Sequence, residues 1–91
     1  MKEYEFTLKF IFSDASINPE SFVDLLGEGG CDDALIGVGQ AGQIALNFNR
    51  EADNAFTAIC SAIADVKYVI PEAVLIEATL GFVGNAKEVF L

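Results

Sequence analysis

The sequence predicts an α+β domain: four strands and two helices in the order β-α-β-β-α-β, the strands forming one antiparallel sheet with both helices on one face. Three observations carry this. From Tyr4 to Phe12 every second residue is large and apolar, and the residues between them are polar except Ile11. A stripe of apolar residues at helical spacing runs from Phe56 to Ile70. Between them lie two short strand-like runs around a glycine-containing turn.

In the first strand, Tyr4, Phe6, Leu8, Phe10 and Phe12 share one face, and Glu5, Thr7, Lys9 and Ile11 share the other. A period of two marks a half-buried strand, and five large apolar side chains on one face make it the expected central core strand. Ser13 to Ile17 reads as a loop. Asn18-Pro19-Glu20 is a helix start, with Asn as cap, Pro at the first helical position and Glu at the positive end of the dipole. Phe22, Leu25 and Leu26 follow at helical spacing, and Gly27, Gly29 and Gly30 are expected to end a short helix. Ala34 to Val38 reads as a second strand and Gln43 to Phe48 as a third, joined by a hairpin turn through Gly39-Gln40-Ala41-Gly42. Asp53 or a near neighbour caps the second helix, whose stripe is Phe56, Ile59, Ile63, Val66 and Ile70. Pro71 ends it. Ala73 to Thr79 is the last strand, with Val74, Ile76 and Ala78 expected on one face and Leu75 and Glu77 on the other. Residues 82–91 read as a helical stub or a tail on a single domain spanning 1–91. This element order is the ferredoxin-like plan.

Charge narrows the function. Fourteen Asp and Glu stand against five Lys and Arg, a formal net charge of -9 with no histidine, yet 53% of residues are hydrophobic. The expectation is a folded domain with a negative surface. Direct nucleic-acid binding needs Lys and Arg to displace phosphate counterions, so the expected ligand is a protein. No stretch approaches the roughly 20 apolar residues of a membrane span, and the charged start Met1-Lys2-Glu3 is unlike a signal peptide. A cytoplasmic location is expected, with Cys31, at the start of a strand, and Cys60, near the apolar side of a helix, as free thiols.

Catalytic chemistry finds few candidates. Without histidine, and with two cysteines far apart in sequence, the chain has few soft metal ligands and lacks the usual base for a nucleophile. We therefore expect no enzyme, no metal and no cofactor. Gly37 to Gly42 formally matches G-x-G-x-x-G, but a strand follows it rather than the helix that a dinucleotide site requires. An RNA-recognition reading of the same plan needs aromatics on the open sheet face, and here the aromatics of the first strand are assigned to the core.

Several segments resemble a known family. They are Tyr4 to Phe10, Gly30 to Gly39, Ile44 to Ala52 and Ala62 to Val66. Together they are similar to the N-terminal domain of small bacterial helix-turn-helix DNA-binding proteins, over roughly residues 4 to 84. In those proteins the segment after the last strand continues into the DNA-reading motif. Here Val83 to Leu91 begins where that motif would begin, and the sequence stops. The resemblance implies an interaction role and carries over no DNA-reading residues.

Two functional expectations follow. One is a stand-alone relative of such a domain, from a bacterium or phage, acting by protein contact or homodimerisation. Its dimer face would be the open sheet face, with Thr7, Ile11, Ala45, Leu75 and Leu35, joined by Phe90 from the tail. The other is a phage-type acidic inhibitor, an anti-CRISPR or nucleic-acid mimic, that blocks a basic nucleic-acid-binding protein or complex. Its expected patch is Glu20, Asp24 and Glu28 at i, i+4 and i+8, with Asp32 and Asp33 just beyond.

Overall fold

The computed structural model of the chain describes residues 2–14, 16, 18–37 and 41–80. Strand β1 (Lys2–Ile11) leads to a helical segment made of a tight 3-10 turn (Pro19–Phe22), a single α-helical turn α1 (Val23–Leu26) and a wide turn (Gly27–Cys31). Then come β2 (Ala34–Gly37), β3 (Gln43–Ala52), helix α2 (Ala55–Val69) and β4 (Val74–Leu80). The four strands form one antiparallel sheet in the order β2-β3-β1-β4. The fold class is α+β.

The alternation of β1 places it between two neighbours. Phe6, Leu8 and Phe10 are fully buried, and Ile44, Leu46 and Phe48 of β3 meet them in register. Phe6 and Phe48 stack with ring centroids 5.3 Å apart. Each such side chain contributes roughly 1.5–3 kcal/mol on burial. Both helical segments add to this core: Leu26 and Cys31 from the first, and Ala58, Ile59, Ala62 and Val66 from the second.

Several local expectations are corrected. The first helical segment starts as read, with Asn18 Oδ1 accepting from the Glu20 amide at 3.1 Å. It runs past Gly27, however, and ends where Gly30 takes a φ of 108°, a conformation that costs an L side chain about 1–2 kcal/mol. Gly29 lies against Val69 so closely that an added Cβ would collide with its γ-methyl. The glycines thus let this segment approach α2 before they end it. Cys31 is buried at the end of the helical segment rather than at the start of a strand. The cap of α2, expected at Asp53 or a near neighbour, is that neighbour Asn54, whose Oδ1 accepts from Thr57 N at 2.8 Å. Strand β3 extends to Ala52, because Asn49 to Ala52 pair with Glu5 to Lys2.

Two corrections bear on function. Phe56, read as core, is 75% exposed. The buried side of α2 is centred on Ala58, Ala62 and Val66, which puts Phe56 roughly 120° round the helix from its centre. In β4 the register against β1 shifts between Lys9 and Phe10, which pair with Glu77 and Leu75, so Ile76 is an extra residue. This bulge turns Leu75 onto the core side, where it packs against the core, and leaves Val74 52% exposed.

Candidate functional site

The acidic residues singled out from the sequence divide into two groups. Glu20, Asp24, Glu28 and Asp32 are exposed. Their segment changes pitch from a 3-10 turn to an α turn to a wide turn, so they do not form one regular α-helical ridge. Asp33 has an internal partner. Its carboxylate accepts from Arg50 Nε at 2.8 Å and from Arg50 Nη2 at 3.0 Å, a two-point pairing. Arg50 Nη2 also donates to the Gly30 carbonyl at 2.9 Å, while Nη1 donates to Asp65 Oδ2 at 2.9 Å and to Ser61 Oγ at 3.1 Å. All five guanidinium N–H groups are thereby used. The plane also lies over the Phe48 ring, 5.0 Å from its centroid. Pairing with Asp33, reinforced by Asp65, raises the Arg50 pKa further, against the opposing effect of burial. This cluster ties the end of the first helical segment to β3 and α2. Its work is structural, and it removes Asp33 and Asp65 from the free negative surface.

The expected dimer face is not assembled as one exposed surface. Thr7 is 4% exposed. It lies in register between Asn47 and Thr79, and Asn47 Nδ2 donates to its Oγ1 at 3.0 Å. Thr79 is 1% exposed, and its hydroxyl donates to Glu77 Oε2 at 3.1 Å. Asn47 Oδ1 is buried without a hydrogen-bond partner. Ile11 and Ala45 are half-buried, and Leu75 is on the opposite side because of the bulge. Phe90 lies outside the described residues.

A different surface stands out. Between α2 and β4 lies an apolar groove of about 160 Å³, lined by Phe56, Ile59, Cys60, Ile63, Leu75 and Ala78. Phe56 in its wall is 75% exposed, and three turns further along α2, away from the groove, Tyr68 is 82% exposed. Sequence reasoning missed both. The signal was there in the alanines: Ala58 and Ala62 with Val66 form an i, i+4, i+8 row that can sit closest to the sheet, leaving the large Phe56 at its flank.

Among the described residues no three or more His, Cys, Asp or Glu are grouped to hold a metal ion, and no helix is long and apolar enough to cross a membrane. Both cysteines are free thiols, Cys31 buried and Cys60 exposed at the groove. Burial, and after it the carboxylate of Asp65, push the Cys31 thiol up to about 11. Comparison with protein families, with curated proteins and with solved structures finds no match to this chain.

Proposed function

We propose that this chain is a non-enzymatic, acidic protein-protein interaction module, related to the N-terminal domain of bacterial helix-turn-helix regulators and acting in the cytoplasm through homodimerisation or contact with a protein partner. The observation that carries this reading is the exposure of two aromatics on α2, Phe56 at an apolar groove and Tyr68 three turns further along the helix. Large exposed aromatics are enriched at the buried centres of interfaces, and here they sit on a domain of net charge -9 that has a buried core of its own. The ferredoxin-like plan belongs to the same proposal. It is supported by the element order and by a strand order that runs β4-β1-β3-β2 when taken from the β4 edge.

A second reading is an acidic inhibitor of the anti-CRISPR or nucleic-acid-mimic type. It is favoured by the exposed carboxylates of Glu20, Asp24, Glu28 and Asp32, which would draw a basic groove by electrostatic steering. A pull-down from lysate with the tagged chain at low and high salt separates the two. A partner retained at high salt supports apolar contact. A nucleic-acid-binding complex lost at high salt supports mimicry. Recovery of no protein at either salt, together with a strictly monomeric state, would sink both readings.

A further inference from the structure

We infer that the outer face of α2 is where two copies of this chain meet, as an antiparallel helix pair about a twofold axis. This deepens the dimerisation reading and rests on it. Four residues at intervals of four, Phe56, Cys60, Ala64 and Tyr68, form one exposed ridge along the helix. Ridges of this spacing pack into the matching grooves of a second helix, and the interaxial distance of roughly 8–10 Å depends on the side chains at the crossing. Here small side chains occupy the middle and aromatic ones the ends. A twofold axis near the middle of the ridge puts Phe56 of each copy against Tyr68 of the other and Cys60 beside Ala64. The surface is thus self-complementary, as an isologous contact requires.

Charge favours a second copy over a basic partner. The remaining exposed residues of α2 are Thr57, Ser61 and Lys67. The acid of this helix, Asp65, is half-buried and paired with Arg50. The exposed face of α2 therefore carries no free carboxylate on a chain of net charge -9. Two such chains repel through surfaces that present acids, and this face lets them approach. A basic partner would find nothing to pair with here except Lys67, a like charge. In the antiparallel arrangement the exposed Lys67 in the last turn comes toward the exposed Asp53 that precedes the partner helix, so its charge is complemented at both ends.

Sedimentation equilibrium on the full chain, from micromolar to millimolar concentration under reducing conditions, tests the inference. A dimer is expected. Phe56→Glu and Ala64→Glu should each raise its dissociation constant at least about tenfold, since both put a carboxylate into the contact. Glu20→Gln, on the 3-10 turn and outside the ridge, should change the constant by less than roughly twofold. Urea midpoints of the variants guard against unfolding. Lys67→Asp should weaken the dimer, and adding Asp53→Lys should restore it, a rescue that only the antiparallel pairing predicts. A short bismaleimide should join two chains through Cys60. A dimer that persists in both Glu variants and is not cross-linked through Cys60 would overturn the α2 interface while leaving dimerisation itself standing. A strictly monomeric chain at millimolar concentration would overturn both.

Discussion

Arg50 shows how one side chain is committed by its surroundings. With 13% of its side chain exposed, it holds two carboxylates, a hydroxyl and a carbonyl. Removing it leaves Asp33 and Asp65 facing each other without their shared cation, and both are only partly screened by water. Arg50→Ala is expected to destabilise the fold by about 3 kcal/mol. Arg50→Lys should recover only part of that, because an ammonium lacks the planar fork that bridges both oxygens of Asp33. Urea unfolding of the two variants measures the difference. Cys31 gives a second test. Its thiol is buried and its pKa is raised from 9.0 to about 11. The folded state therefore holds its proton to higher pH than the unfolded state does. Stability linked to this group is fully present below pH 9 and falls as pH rises toward about 11. Cys31→Ala should flatten that alkaline decline. In the native protein at neutral pH, Cys60 alone should react with a thiol reagent, and both cysteines should react after denaturation.

At the scale of elements, the hydrogen-bond accounting at helix starts is the most direct link from sequence to stability. Asn54 satisfies the Thr57 amide at the start of α2, and Asn54→Ala should cost about 1 kcal/mol in thermal or urea unfolding. The β1/β3 pairing contains a flaw that can be repaired. Glu3 and Glu51 stand directly opposite each other, and both are exposed. Like charges in that position are destabilising, so Glu51→Lys should stabilise the protein by about 0.5 kcal/mol at low salt, with the gain shrinking as salt rises. Type and order of the elements could be read from the sequence because alternation and helical periodicity are local. The bulge at Ile76 could not be. Ala73 to Thr79 reads the same with or without it, and only the pairing of Phe10 with Leu75 after Lys9 with Glu77 reveals the extra residue. That one-residue shift moved Leu75 from the expected dimer face to the core side. The first helix was misread in its length because its glycines serve close approach to Val69 as well as termination.

For the molecule as a whole, net charge sets solubility and association more than fold. A charge of -9 on 91 residues repels itself in the compact state. Raising the salt concentration should therefore raise the melting temperature by a few degrees up to about 0.5 M, where the Debye length has fallen to roughly 4 Å. Thermal scans across a salt series check this, and a melting temperature that falls with salt would mean that attractive pairs such as those of Arg50 outweigh the repulsion. The same charge governs how partners are met. On the two readings proposed, the free acids on the first helical segment would make association with a basic surface fast and salt-sensitive, whereas a contact through the uncharged ridge of α2 would persist in salt.

The sequence by itself determined the α+β class, the number and order of the described strands, the place of β1 in the centre of the sheet and the acidic character. These follow from short-range periodicity and composition, which are properties of neighbouring residues. Only the tertiary structure decided where the charges and aromatics ended up. Gly30, Asp33, Arg50, Ser61 and Asp65 are scattered along the chain, and the packing of β3 beside the first helical segment and α2 is what gathers them round one guanidinium. That gathering neutralises Asp65 on α2. The choice of alanines rather than Phe56 for the sheet-facing side of that helix leaves the aromatic outside. Both outcomes depend on which surfaces fit at van der Waals distance, and periodicity carries no information about that fit.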